Sequence, residues 1–171
     1  SLSGGLGRMI GGLESDVCFT AGLIHDAGFI ALSAYCPKEL AIAFETSHNE
    51  KISLLDAEKK VLGFNSSDVG MSLMSAWNFP ESLVDLYRSD DKDNESRWVS
   101  KPIAVVILAK LLLREWGYSG CSHIQGEPVK EQLLEFLEIT TDDLSNWEVE
   151  LRKYVILAMR VLKGKASLNT A

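Results

Sequence analysis

Apolar residues recur at intervals of three and four along most of this chain, and polar or turn-forming residues separate the apolar blocks. This spacing places side chains on one face of a helix, whereas a strand would alternate at every second residue. No stretch alternates in that way for long. The pattern predicts an all-α protein of about eight or nine helices, packed as a single domain over residues 1–171 with a frayed tail at 165–171.

Capping residues and glycines predict where several of these helices begin, bend and end. The expected N-caps are Ser15 or Asp16, Ser53, Asn65 or Ser66, and Thr140 or Thr141, and the expected bends or ends are Gly28, Gly63 and Gly164. The most apolar segment, residues 99–116, should form a buried helix.

The first twelve residues combine helical apolar spacing with five glycines. An interior glycine costs a helix about 1 kcal/mol relative to alanine, so this helix needs close packing to form. Gly4, Gly7 and Gly11 fall near one face, which predicts a tight helix crossing. We also expect this glycine-faced helix to be the surface that serves a partner or a second copy.

Charge and composition narrow the classes of partner. The chain has a net charge of −7 and a pI of about 5.0, which argues against nucleic acid because phosphate backbones favour basic surfaces. The longest apolar run, residues 102–113, is interrupted by Lys110 and is too short to span a bilayer. We therefore expect no membrane association. The three widely spaced cysteines do not indicate a disulfide framework, so we expect a reducing, cytoplasmic location.

The stretch from Thr20 to Gly28 carries the clearest candidate chemistry, the adjacent pair His25 and Asp26. An imidazole and a carboxylate are both ligands for divalent metals such as iron, manganese or zinc. Three or more converging groups are needed for a metal site, however. We therefore favour the simpler interpretation that His25 is a core histidine, hydrogen-bonded to a backbone carbonyl or to a neighbouring side chain.

Several blocks, in their order and spacing, resemble the HDOD domain, a divergent branch of the HD metal-dependent phosphohydrolase superfamily found in bacterial signalling proteins. They are Ala21-Gly-Leu-Ile-His-Asp-Ala-Gly28, Glu58-x4-Gly63-Phe64, Asp68-Val-Gly70, and Trp77-x-Phe-Pro80 with Leu83. The resemblance covers about residues 1–113. It implies an HD-domain-like bundle, and it also implies further helices before Ser1, including the superfamily's first metal-binding histidine.

The resemblance implies a degenerate metal site. Ser66 stands where the family's next histidine would be, Asp90 and Asp91 lie near its His-His pair, and Lys110 replaces the superfamily's last aspartate. A charged lysine has no lone pair to offer a metal. Because Lys110 lies in an apolar helix, we hypothesise that it forms an ion pair with Asp26, with a surface-directed Lys110 as the alternative.

The prediction from sequence is thus a non-catalytic, cytoplasmic signalling module that acts through a protein partner or self-association, with no cofactor. The resemblance leaves open whether a receiver or another signalling domain is joined upstream. Two alternatives stay open: a metal-dependent phosphohydrolase using His25 and Asp26, and a small-molecule sensor that uses the pocket around His25.

Overall fold

A computed structural model describes residues 1–88, 100–118 and 127–166, and these residues form ten helices without a strand. The predicted all-α bundle is therefore confirmed. If α2 and α3, which run on from one another, are taken as one interrupted helix, nine remain. The helices are α1 (Leu2–Ile10), α2 (Ser15–Ile24), α3 (Ala27–Tyr35), α4 (Pro37–Glu50), α5 (Leu54–Leu62), α6 (Ser66–Ala76), α7 (Glu81–Arg88), α8 (Lys101–Glu115), α9 (Glu127–Leu137) and α10 (Thr141–Ala166).

The predicted capping chemistry is confirmed at three helix starts. The Ser53 hydroxyl accepts a hydrogen bond from the Asp56 amide at 3.1 Å, and Thr140 and Asp143 exchange bonds in the same way. At α6 it is Asn65 that caps, with Asp68 returning the bond to complete a capping box. These reciprocal bonds satisfy amides that a helix start leaves without partners.

Three predicted boundaries are wrong. The second helix begins at Ser15 with Glu14 at its N-cap, and α10 continues through Gly164 to Ala166. The break in the second helix falls at His25 and Asp26, whereas Gly28 lies buried inside α3. Gly28 is used for close approach to another helix, so its small size serves packing and does not bend the chain.

The main core surrounds α8, whose residues 103–109 are all buried. Helices α1, α2 and α9 pack against α8, and the predicted buried helix is therefore confirmed. A smaller apolar cluster of Ala43, Leu54 and Ala57 joins α4 to α5. Cys18 is a free, fully buried thiol, and burial raises its pKa.

The glycine-rich α1 is sandwiched between α2 and α10. Gly4 and Gly7 lie against Phe19 and Cys18 of α2, as the predicted tight crossing requires, and Gly5 lies against the Tyr154 ring of α10. Gly11 takes no part, since it ends the helix with a φ of 70°. The expectation that this face serves a partner is wrong: Leu2, Gly5, Leu6 and Gly7 are buried by the chain's own helices.

Taken as one span, Ser15–Tyr35 is long and apolar enough to cross a membrane by length and composition alone. It has 21 residues with a mean hydropathy of 1.5, and 22% of the most apolar part is buried. It is the single candidate span within the described ranges. A single span of this kind is weak evidence, because the buried core helix of a soluble protein and a signal sequence pass the same criterion, although most of this window is not buried.

Candidate functional site

The candidate site lies at the interruption between α2 and α3, where the His25 and Asp26 side chains face each other. His25 Nε2 is 3.0 Å from Asp26 Oδ2, and His25 Nδ1 is 3.0 Å from the Gly22 carbonyl oxygen. The hydrogen bonds predicted for His25 are therefore confirmed, whereas its predicted place in the core is wrong, because the side chain is half-buried at the break between the helices. The Asp26 carboxylate, turned towards the ring, makes no capping bond to the start of α3.

Both hydrogen-bond partners of His25 are acceptors. A carbonyl and an ionised carboxylate bring no hydrogen of their own, so both contacts are satisfied together only when each ring nitrogen carries hydrogen. A ring in that state has no lone pair for a metal. Metal ligation by His25 would require it to give up one of these two contacts.

The pKa of the Asp26 carboxyl lies below its ordinary value. Partial burial acts to raise it, but the hydrogen bond from His25, the His25 charge and the more distant charge of Lys110 together outweigh that effect. The Asp26 side chain is 55% exposed, so water screens these attractions and the pair contributes little to stability.

Lys110 does not form the predicted direct ion pair with Asp26. Its side chain is half-buried on α8, and it acts on Asp26 only as a charge at longer range. The physical reason is that Asp26 turns its carboxylate to the adjacent His25, which is the closer donor. The positive charge of Lys110 nonetheless contributes to lowering the pKa of Asp26.

The backbone of Ser66 contacts residues of two neighbouring helices. Its amide donates a hydrogen bond of 2.7 Å to Oε2 of the fully buried Glu58, and its carbonyl oxygen lies against Gly28 of α3. A Cβ on residue 28 would overlap that oxygen and also the Gly70 amide. The backbones of α3 and α6 are therefore in direct contact at this point, which requires glycine at position 28. We call Gly28, Glu58, Ser66 and Gly70 the Ser66 junction.

Tyr87 of α7 links α6 to the end of α2, a role that the sequence analysis did not predict. Its ring covers Gly70, and its hydroxyl donates a hydrogen bond to the Ile24 carbonyl at the end of α2. The residue is only 3% exposed. A tyrosine at a buried helical position was the available signal, because a buried hydroxyl needs a partner.

The described side chains do not fit a metal centre. Among the described residues, no three histidine, cysteine, aspartate or glutamate side chains converge on one point. Asp90 and Asp91 lie outside the described residues. The candidate metal ligands described at the site are His25 and Asp26, which contact each other. Ser66 contributes a backbone hydrogen bond to Glu58, and Lys110 contributes a positive charge.

A described cleft lies elsewhere, at the junction of α8, α9 and α10. It has a volume of about 150 Å³ and is lined by Leu112, Trp116, Lys130 and Leu144 among others. Arg152 stacks over the Trp116 ring at 4.5 Å beside it. This cleft is separate from the pocket that the sensor alternative expects around His25.

Comparison with known proteins identifies the family. A solved HDOD domain protein with unknown function from Geobacter sulfurreducens has a similar fold, with a TM-score of 0.67 at 21% identity. The match covers 90% of this chain and 57% of that protein, so the chain spans little more than half the neighbour's length. Comparison with curated proteins finds no match. The sequence pattern of the HDOD domain matches residues 1–92, over half of the 171 residues, and the chain therefore belongs to the HDOD domain family.

Proposed function

We propose that this protein is a non-catalytic signal-transduction module of bacterial type, which acts through protein–protein contacts and uses the HD residues structurally. The observation that carries the proposal is the engagement of His25, whose two ring nitrogens both face acceptors within the chain. A metal in a catalytic HD site would take one of these ring nitrogens, so it would have to displace one of the two contacts.

The charges around the site support the same function. Lys110 lowers the pKa of Asp26 through its positive charge, and the same charge would repel a divalent cation at this position. Loss of the aspartate and gain of a lysine thus replace an attraction for metal with a repulsion. The mechanism we propose is conformational: a partner that prefers one helix arrangement shifts the population towards it.

Membership of the HDOD family supports the signalling role only by analogy, since a fold hosts many functions. The solved neighbour has no known function, and its similarity extends to the fold alone. The proposal therefore rests mainly on the donor set at His25. The cytoplasmic location and the absence of a cofactor are part of the proposal.

Metal content tests this function directly. Protein purified without chelator should show the same background of iron, manganese and zinc by plasma mass spectrometry in wild type, in His25→Ala and in His48→Ala. His48 is an exposed histidine on α4 and serves as the matched control. Wild type should also hydrolyse no phosphate ester above the rate of the His25→Ala variant.

Near-stoichiometric metal that disappears in His25→Ala but persists in His48→Ala would overturn the proposal. It would favour the metal-dependent phosphohydrolase, with ligands contributed from beyond the described residues.

A further inference from the structure

The principal helix pairings among the described residues fall into two groups. Helices α1, α2, α8, α9 and α10 are linked by one set of pairings, which we call the α8 group. Helices α3, α4, α5, α6 and α7 are linked by the other, which we call the α6 group. Side chains of α6 and α7, among them Met74, Leu83 and Val84, reach the main core, so the groups meet through apolar contacts. The chain crosses between the groups at the break that separates α2 from α3.

Each helix beside the break is fixed to its own group. On α2, a Cβ at Gly22 would overlap the Ser3 hydroxyl of α1, so these two helices approach closely. On α3, Gly28 lies against the Ser66 backbone of α6. Because neither helix has room to move alone, a change of direction between α2 and α3 must carry the two groups with it.

The break itself depends on the backbone of one residue, Asp26. Its φ is −108° and its ψ is 13°, whereas helical residues have about −63° and −42°. The preceding His25 keeps helical angles. Within the described residues the Asp26 amide makes no hydrogen bond, and regular bonding resumes where the Ile30 amide donates to the Asp26 carbonyl at 2.9 Å. Rotation about two bonds of Asp26 therefore separates the interrupted helix from a continuous one.

His25 occupies the acceptor that a continuous helix would use at this point. In a continuous helix the Asp26 amide donates to the carbonyl four residues earlier, which belongs to Gly22. Here the Gly22 carbonyl oxygen instead faces His25 Nδ1 at 3.0 Å. The other ring nitrogen contacts the Asp26 carboxylate. The imidazole thus takes the place of the backbone donor and favours the interrupted form.

Tyr87 ties the end of α2 to the α6 group. Its hydroxyl donates a hydrogen bond to the Ile24 carbonyl, two residues before Asp26, while its ring covers Gly70 of α6. The side chain is almost fully buried. Apolar contacts between the groups have no preferred direction, whereas a hydrogen bond has a defined geometry. This bond therefore specifies how the two groups are oriented beside the break.

We propose that Asp26 is a hinge between the α8 group and the α6 group, and that His25 and Tyr87 are positioning residues that hold it in the interrupted form. Loss of either contact shifts the population towards a continuous helix in which the Asp26 amide bonds to the Gly22 carbonyl. Hinges of this kind are residues at element ends that absorb a change in φ and ψ. The use of the hinge in signalling rests on the proposed function, whereas its existence does not.

Hydrogen exchange of the Asp26 amide, measured by NMR, provides the first test. In wild type this unbonded amide of an exposed residue should exchange near its intrinsic rate. Tyr87→Phe keeps the ring on Gly70 and removes only the hydroxyl, and His25→Ala removes the side-chain donor to Gly22. Each should raise the protection factor of the Asp26 amide about twofold, and the double variant at least about fivefold, because one lost hydrogen bond typically shifts an equilibrium several-fold.

The direction of this change separates a hinge from a merely structural contact. General loss of stability would lower the protection of amides throughout α2 and α8, and it would not protect Asp26. Tyr154→Phe is the matched control. The Tyr154 ring packs against Gly5, and its hydroxyl makes no hydrogen bond within the described ranges, so this variant should leave Asp26 exchange at the wild-type value.

Pulsed EPR distances test the movement of the groups. Spin labels on the exposed residues Lys59 of α5 and Val149 of α10 report across the two groups, whereas labels on Glu131 of α9 and Val149 report within the α8 group. The background replaces every cysteine by serine except the buried Cys18. Tyr87→Phe should add a second distance to the first pair of labels and leave the second pair unchanged.

Unchanged or lowered protection of the Asp26 amide in both Tyr87→Phe and His25→Ala would overturn the proposal. So would a single distance between the groups that is the same in wild type and in the double variant. These outcomes leave the proposed function standing, because that proposal fails on metal content and hydrolysis, which neither exchange nor label distances measure.

Discussion

Asp26 and Glu58 are two carboxylates of this chain in opposite surroundings. Asp26 belongs to the dipeptide that draws attention in the sequence, yet its side chain is 55% exposed and contacts the adjacent residue. Glu58 has no exposed surface and accepts the amide hydrogen of Ser66 at the start of α6. A buried acceptor contributes to stability far more than an exposed pair, because its loss leaves a partly buried amide without that partner. The residue that resembles a catalytic group is thus the weaker contributor to the fold.

The same contrast extends to the blocks that carry the family resemblance. Gly28, Glu58 and Gly70 each take part in the Ser66 junction, where helices α3, α5, α6 and α7 meet. Their residue types are explained by close approach and burial. Three of the quoted blocks therefore carry a packing role in this chain that is independent of any metal.

The largest effect should come from Gly28→Ala. The new Cβ would overlap the Ser66 carbonyl and the Gly70 amide, which are backbone atoms that cannot rotate away. Overpacking of this kind costs typically 1–3 kcal/mol, and we expect about 3 kcal/mol here, measured by urea unfolding. Ala34→Ser on the exposed side of the same helix is the control and should change stability by less than about 0.5 kcal/mol. A Gly28→Ala variant as stable as wild type would contradict the close approach.

A smaller but still large effect should follow from Glu58→Ala. It removes the acceptor of the Ser66 amide and leaves a space in a fully buried position, with an expected loss of about 2–3 kcal/mol. Asp26→Ala is the exposed counterpart and should cost less than about 1 kcal/mol. Equal losses in the two variants would remove the distinction between the buried and the exposed carboxylate.

The smallest effect should be the pH dependence of Asp26. Because the pKa of this carboxyl is depressed in the folded state, its contribution to the free energy of unfolding is present above the unfolded pKa of about 3.9 and disappears as the pH falls through the folded value. Wild type should exceed Asp26→Asn by less than about 1 kcal/mol near neutral pH, and the difference should vanish at acid pH.

Asp16→Asn, measured in parallel over the same pH range, controls for the loss of one exposed negative charge. A difference between wild type and Asp26→Asn that grows on acidification would reverse the assigned sign.

Much of the fold could be predicted because it depends on local patterns. The spacing of apolar residues identifies the helices, and Asn65 and Asp68 specify the start of α6 through bonds three residues apart. The contact between His25 and Asp26 likewise depends on local structure, because the two residues are adjacent in the sequence. The boundary at Gly28 was predicted wrongly because a glycine that ends a helix and a glycine that permits packing are the same residue in a sequence.

What the sequence alone determined is the helical class, most of the caps, the family and the presence of the HD dipeptide. Only the tertiary structure decided that Glu58 meets Ser66, that Tyr87 closes the break after Ile24, and that α1 is covered while the face of α2 and α3 is not. The physical reason is distance along the chain. Capping and periodicity act within a few residues, whereas burial and the contacts between distant residues depend on helices that pack together from remote parts of the sequence.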